Sequence, residues 1–367
     1  MNAYNPNKAL RHLELLQAAK YAKPAPPAHV QLIISNRCNH RCNFCAYRDP
    51  DYTSNQRFVE QDIMPLSKIK QVITDCHKMG VKCIQLTGGG EPSVHPDYED
   101  VLYHLIKTEM PFAVVTNGSD MNRYLQYYKK ADWIRVSIDA GYNETYCKTR
   151  NLKGEGRLEK VFDGIEILTR ARKEHESATK AELASLIWGQ KPVIGVGFVV
   201  TPHNYREASL CAFLAKKSGA DNIRIGCQFS GQGAALFDGI WDAVHASVST
   251  AERHADRKFQ VFNRVCEKRQ DLISGRPGYS ICGYQFFTTY IGADCRVYRC
   301  CVTAYNDVGY IGSIKDQSFK DLWISQKRVE EMREFHPMRC ERCQFNVQNQ
   351  LLEFVLDSSR QLHENYV

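Results

Sequence analysis

The run Asn36-Arg37-Cys38-Asn39-His40-Arg41-Cys42-Asn43-Phe44-Cys45-Ala46-Tyr47 sets three thiols at CxxxCxxC spacing, directly after a strand-like segment from His29 to Ser35. Three cysteinates on one short loop can hold three irons of a cubane cluster, and the missing fourth ligand leaves one iron open to a small molecule. The alternative is a structural zinc knuckle, which wants four closed ligands, usually as paired CxxC units. The loop therefore reads as a reactive metal site with an open coordination position.

On either side of it strands and helices alternate. The patterns predict strand 29–35, helix 66–79, strand 83–87, helix 97–109, strand 112–116, helix 121–129, strand 133–139, helix 156–175, strand 193–200, helix 204–218 and strand 222–229. Six β-rich runs separated by helices imply right-handed βαβ units, a parallel sheet and an incomplete version of the eight-stranded barrel. Ligands of such sheets lie beyond the carboxyl ends of the strands, and the cysteine loop follows the first strand.

Other strand ends carry polar turns. Strand two runs into Gly88-Gly89-Gly90-Glu91-Pro92, where glycines permit close backbone approach and Glu91 can accept from an ammonium. Strand three ends Thr116-Asn117-Gly118. Strand four ends Arg135-Val136-Ser137-Ile138-Asp139, and alternation sets Ser137 and Asp139 on one face. Strand five carries Gly195 and Gly197, which suggest that another group comes close.

Residues 7–20 read as an amphipathic helix with Leu10, Leu13, Leu15 and Leu16 on its apolar side, broken by Pro24, Pro26 and Pro27. After strand six, residues 230–244 read as a glycine-rich bridging loop with Phe237, Trp241 and Asp242, and 246–274 as a charged helix. A hairpin follows: Phe286 to Ile291, a turn at Gly292-Ala293-Asp294, and Arg296 to Cys301. A helical run from Phe319 to Phe335 leads to Cys340-Glu341-Arg342-Cys343, and the tail 351–367 has an apolar helical pattern. The expected organisation is an N-terminal helical appendage (1–27), an α/β core (28–232), a bridge (233–280), a small C-terminal cysteine domain of hairpin plus helix (281–350) and a tail helix.

Fifteen cysteines is an odd number, in a chain with no apolar run of membrane-spanning length and no signal-peptide h-region. A disulfide framework is disfavoured, metal is the better explanation, and the expected address is the cytoplasm. Cys76, Cys83, Cys147, Cys211, Cys227 and Cys266 occur singly, as small core residues do. The formal charge of +7 is modest, and mixed stretches such as Arg170-Ala171-Arg172-Lys173-Glu174 read as a solvated helix face, so neither nucleic acid nor membrane is expected as a partner. Cys282, Cys300 or Cys301, Cys340 and Cys343 can converge, and four cysteinates serve zinc or an iron–sulfur cluster equally. Neighbouring strand residues point to opposite faces, so only one of Cys300 and Cys301 should ligate; spacing favours Cys300.

CxxxCxxC with an aromatic before its last cysteine, after a first strand, resembles the radical S-adenosylmethionine (SAM) superfamily, whose fold is a partial (βα)6 barrel. The resemblance implies that Cys38, Cys42 and Cys45 ligate a [4Fe-4S] cluster whose open iron chelates SAM, with Phe44 against the adenine. It implies further SAM contacts at Gly89, Gly90, Glu91, Asn117, Ser137, Asp139 and Arg150, and an external donor of flavodoxin or ferredoxin type. The second cysteine set resembles the twitch form of the SPASM extension, with one auxiliary [4Fe-4S] cluster on Cys282, Cys300, Cys340 and Cys343, two clusters in all. Cys295 stands where that family places a hairpin glycine. Cys301 becomes either a buried structural thiol or a hydrogen donor to a substrate radical.

The expected chemistry is hydrogen abstraction from a C–H bond, ending in oxidation or epimerisation of a small polar substrate such as a sugar or aminocyclitol. The barrel begins near residue 29, which leaves no room for a fused leader-peptide-binding domain and favours the small molecule. A maturase of ribosomal peptides, and a non-catalytic Fe–S or zinc protein, are the alternatives.

Overall fold

The computed structural model describes residues 5–49, 57–177, 192–265 and 275–357. Among the described residues ten strands form one sheet in the order β10-β9-β8-β1-β2-β3-β4-β5-β6-β7. They are β1 (His29–Leu32), β2 (Cys83–Leu86), β3 (Phe112–Thr116), β4 (Trp133–Ser137), β5 (Val193–Val200), β6 (Asn222–Cys227), β7 (Gln260–Asn263), β8 (Thr288–Ile291), β9 (Arg296–Tyr298) and β10 (Tyr310–Ser313). The helices are α1 (Leu13–Lys20), α2 (Leu66–Met79), α3 (Tyr98–Lys107), α4 (Leu125–Tyr128), α5 (Asn143–Arg150), α6 (Arg157–Ser177), α7 (Ala208–Lys217), α8 (Trp241–Ala251), α9 (Phe319–Trp323), α10 (Gln326–Glu334) and α11 (Asn346–Leu356).

Strands β1 to β7 are parallel throughout, as the alternation with helices requires. Their outward side chains, among them Val30, Leu32, Ile84, Leu86, Ile134, Val136, Ile194, Val196, Ile223 and Ile225, are fully buried in the main core, which also takes in Ile69, Val72 and Ile73 of α2 and Ile165 and Leu168 of α6. The inward positions are half-buried and mostly polar, His29, Gln31, Gln85, Arg135, Asn222 and Arg224. Apolar side chains thus pack under the helices while polar ones keep the barrel interior open.

The sheet is an open partial barrel carrying more strands than the six-fold pattern gives. β7 pairs with β6 in parallel, within the span expected as the helix 246–274. That helix stops at Ala251, and Lys258-Phe259-Gln260-Val261-Phe262 has the alternation of a strand; residues 266–274 lie outside the described set, as does Cys266. On the other edge β8 runs parallel to β1, His29 opposite Thr288 and Leu32 opposite Ile291. β9 and β10 continue antiparallel from it. The C-terminal cysteine region is therefore continuous with the barrel sheet.

Four more expectations need correction. The helix expected over 7–20 is a 3-10 turn (Pro6–Arg11) followed by α1, and Leu13 faces solvent while Leu15 and Leu16 are buried. The tail helix is α11, which packs with α1 and Phe287 in a separate small core; residues 358–367 lie outside the described set. The run Phe319–Phe335 divides into α9 and α10 because the Ser325 hydroxyl accepts from Arg328 N and starts a new helix. Arg172 does not face solvent: it is 4 % exposed and spans from Pro192 O to the Asp221 carboxylate at 2.6 Å, whereas Arg170 is exposed as expected.

Candidate functional site

Cys38, Cys42 and Cys45 are half-buried on the loop after β1. The loop is pinned to the C-terminal end of α5 by Arg41 N to Arg150 O (3.0 Å) and Asn43 N to Thr149 O (2.9 Å). Each sulfur meets a donor: His40 N at 3.4 Å from Cys38, Arg150 Nη1 at 3.7 Å from Cys42 and Arg48 Nη1 at 3.9 Å from Cys45. Burial pushes the Cys42 thiol up to about 11 and also raises Cys38, while Arg150 pulls the first back and the His40 amide and Arg48 the second. Donors of this kind stabilise sulfur that carries negative charge.

The Gly88–Gly90 turn is packed against this loop. A Cβ on Gly90 would stand 1.9 Å from Arg37 O, and one on Gly89 2.0 Å from Asn36 Oδ1. Gly90 N donates to Ser35 O and Glu91 N to Arg37 O. The Glu91 carboxylate is buried and accepts from Thr116 Oγ1 (2.7 Å), Asn117 N (2.7 Å), and Ser93 N and Oγ. It therefore fastens the strand-two turn to the strand-three turn; burial raises its pKa, and these donors oppose the rise. Asn117 reaches from the third turn to Asn39 of the cysteine loop, 2.7 Å.

At the end of β4, Asp139 takes the left-handed conformation (φ +61). Alternation therefore fails at this position, and Asp139 leaves the face of Ser137. Its carboxylate pairs with Arg150 at 2.5 Å, both side chains 2 % exposed, and accepts from Val199 N at 2.7 Å. Arg150 also donates to Ser137 O at 2.8 Å. Asp139 and Arg150 thus satisfy each other, and together they brace Cys42. Ser137 and Phe44 are half-buried.

Residues on no expected site roster join the first loop to the C-terminal hairpin. Tyr47 stacks on Phe58 (ring centroids 5.3 Å), and its hydroxyl meets that of Tyr290 on β8 at 2.8 Å. Tyr305 Oη donates to Asn36 Oδ1 at 2.6 Å. The sequence signal was slight: a buried Asn36 before the first cysteine and tyrosines at positions the hairpin pattern treats as generic core.

Cys282, Cys300, Cys340 and Cys343 line one enclosed space of about 20 Å³ together with Arg299, Tyr279 and Tyr284. Cys343 Sγ lies 3.1 Å from Tyr279 Oη and 3.2 Å from Phe345 N, and Cys300 Sγ lies 3.5 Å from Thr303 Oγ1. Burial pushes Cys282 up to about 12 and lowers Arg299 to about 10, the neighbouring thiols opposing the second shift. Cys301 is not among these four. It lines the barrel cavity, about 1060 Å³, and packs on the Tyr290 and Tyr305 cluster. Tyr284 and Phe345, stacked at 4.0 Å, line both spaces. Cys295 is buried at φ +60 in the hairpin turn, so a residue with a Cβ adopts the glycine-like conformation there.

Among the described residues no group of three or more His, Cys, Asp or Glu closes around a point that could hold a single metal ion. Cubane thiolates each take a different iron, so sets of three and four thiols with nearby donors fit iron–sulfur clusters by their chemistry.

Residues 32–183 match the Radical SAM superfamily model and residues 282–344 the SPASM iron–sulfur cluster-binding domain model. These matches give the chain a Radical SAM domain and a SPASM iron–sulfur cluster-binding domain, which together imply [4Fe-4S] clusters and SAM. Among curated proteins it is similar to the probable GTP 3',8-cyclase of Thermococcus kodakarensis, 27% identical over 143 residues, 38% of this chain and 43% of that protein. It is similar also to the GTP 3',8-cyclase of Aquifex aeolicus, 26% identical over 160 residues, 43% and 47% of the two chains. The chain thus spans less than half the length of the curated relatives it matches. Among solved structures, Streptococcus suis SuiB bound to precursor peptide SuiA aligns with TM-score 0.63 at 12% identity, covering 97% of this chain and 81% of that one. Native anSMEcpe with bound AdoMet aligns with TM-score 0.56 at 15% identity, covering 89% and 96%. At these identities the likeness is one of fold. No helix among the described residues is long and apolar enough to cross a membrane.

Proposed function

We propose that this enzyme abstracts a hydrogen atom from a small polar substrate in the barrel cavity and returns a hydrogen atom from the Cys301 thiol, which amounts to epimerisation; the Cys301 thiyl radical left behind regains its thiol with one electron from an external flavodoxin- or ferredoxin-type donor and one proton from solvent. The carrying observation is that Cys300 faces three other thiols while Cys301 opens on the cavity. Cys38, Cys42 and Cys45 hold the first cluster and Cys282, Cys300, Cys340 and Cys343 the second. When bound, cluster and SAM supply the 5'-deoxyadenosyl radical that attacks the C–H bond. Phe44, Asn117 and Ser137, at the carboxyl ends of β1, β3 and β4, flank SAM, and the Gly88–Gly90 turn with Glu91 Oε2, which accepts from Asn117 N, meets its ammonium. Asp139 and Arg150 position the loop rather than touch SAM.

Turnover in deuterated solvent tests this reading. Solvent deuterium in an epimerised product, lost in Cys301→Ala while 5'-deoxyadenosine still forms, supports it; an oxidised product without deuterium overturns the epimerisation. Peptide modification is the second reading. The cavity is at the upper end of small-molecule pockets, and SuiB, of similar fold, is seen with a precursor peptide.

A further inference from the structure

The cavity wall carries a concentration of positive charge that the radical chemistry does not require. Arg135 on β4, Arg224 on β6 and Arg264 after β7 line it, with Arg257 and Lys258 before β7. Asp221, the one carboxylate among the described lining residues, is turned away: it binds Arg172 at 2.6 and 3.2 Å and accepts from Ile194 N at 2.7 Å. The strand register places Gly197 of β5 opposite Arg224, and a Cβ on Gly197 would meet Arg135 Cδ at 3.4 Å. The bare strand at Gly197 is therefore the seat over which the Arg135 stem lies, between β4 and Arg224. Its guanidinium also stands over the Trp133 ring, 5.0 Å from the centroid. Cys301 lines the same cavity.

In a cavity of low dielectric a guanidinium holds an oxyanion more strongly than it does in water. A guanidinium has five N–H donors, so a contact within the protein leaves others for a ligand. We propose that Arg135 and Arg224, on either side of Gly197, bind an oxyanion of the substrate, a phosphate or a carboxylate, and so hold its reacting carbon before Cys301. This rests on the reading of the cavity as the substrate chamber, and it narrows the substrate from any small polar molecule to an anionic one.

Trp133 makes the proposal measurable. The anaerobically reconstituted full-length enzyme is titrated with pyrophosphate, citrate and neutral myo-inositol while tryptophan fluorescence is followed. The expected result is a saturable change with at least one anion, weakened by salt and absent in Trp133→Phe. Arg135→Gln and Arg224→Gln should each raise the dissociation constant ~tenfold or more, with Arg224→Lys recovering part of the loss. Arg170→Gln, on the exposed face of α6, should match wild type. Tighter pyrophosphate identifies a phosphate, tighter citrate a carboxylate. No saturable change with either anion, unaltered constants in both Gln variants, or inositol binding as tightly as the anions would overturn the proposal. Wild-type SAM cleavage, assayed separately, keeps the two readings apart. An enzyme that forms 5'-deoxyadenosine yet ignores the anions overturns only the anion site, and one that binds anions without cleaving SAM overturns only the proposed chemistry.

Discussion

The two cysteine sites are built in opposite ways. Cys38, Cys42 and Cys45 lie within one loop, and the fold adds donors and braces around thiols that are already neighbours in sequence. Cys282, Cys300, Cys340 and Cys343 come from segments up to Cys343 that converge only when β8, β9 and the start of α11 have assembled. The first site is local and incomplete by design, whereas the second is long-range and closed. Damage to a thiol should therefore end chemistry at the first site and, at the second, loosen the assembly that surrounds it.

Several changes would break or sharpen that contrast. The largest effect is expected from Cys38→Ala, which should abolish formation of 5'-deoxyadenosine and reduce reconstituted iron from about eight per chain to about four; residual SAM cleavage would show that the loop is not the radical source. Cys340→Ala should likewise lose about four irons but keep SAM cleavage, with product formation falling sharply and the melting temperature dropping. Iron analysis alongside product assays separates the two variants. Tyr305→Phe deletes the bond to Asn36 that links the regions. Because both groups are buried, the cost should be about 1–3 kcal/mol in a denaturant titration, with both clusters retained.

The smallest effect concerns acid. Burial lowers the His29 pKa from 6.5 to about 4, partly offset by a bond with Gln85. The folded state thus holds this imidazole neutral, and its contribution to stability is present above about pH 6.5 and is lost as pH falls towards 4. His29→Gln should flatten the fall in melting temperature over that window. An unchanged slope would place acid sensitivity elsewhere.

Much of the barrel is legible from sequence because each unit is local. Leu66–Met79, Phe112–Thr116 and Val193–Val200 begin and end where their patterns do, and Gly80 at φ +81 stops α2. β7 escaped notice because Gln260–Asn263 is a short edge strand among charged residues, and its pairing with β6 is a tertiary fact. At the site, residue types were readable but partners were not. Nothing in the sequence says that Glu91 bonds to Ser93, Thr116 and Asn117, or that Asp139 turns left-handed to meet Arg150. Arg135 and Arg224 did carry a signal, as charged residues alternating with buried Ile134, Val136, Ile223 and Ile225, which sets them on the face turned away from the helices.

The pairing of β8 with β1 also orders events during synthesis. His29 and Thr288 are opposite each other in the sheet but about 260 residues apart in the chain. At ribosomal speeds β1 emerges on the order of 10–50 s before the strand that will cover its free edge. For that interval the strand leading into the cysteine loop has an unpaired flank, and the loop's Asn36 lacks its Tyr305 tether. The nascent chain therefore passes through a stage in which the cysteine loop lacks this tether, and the C-terminal hairpin ends that stage when it docks.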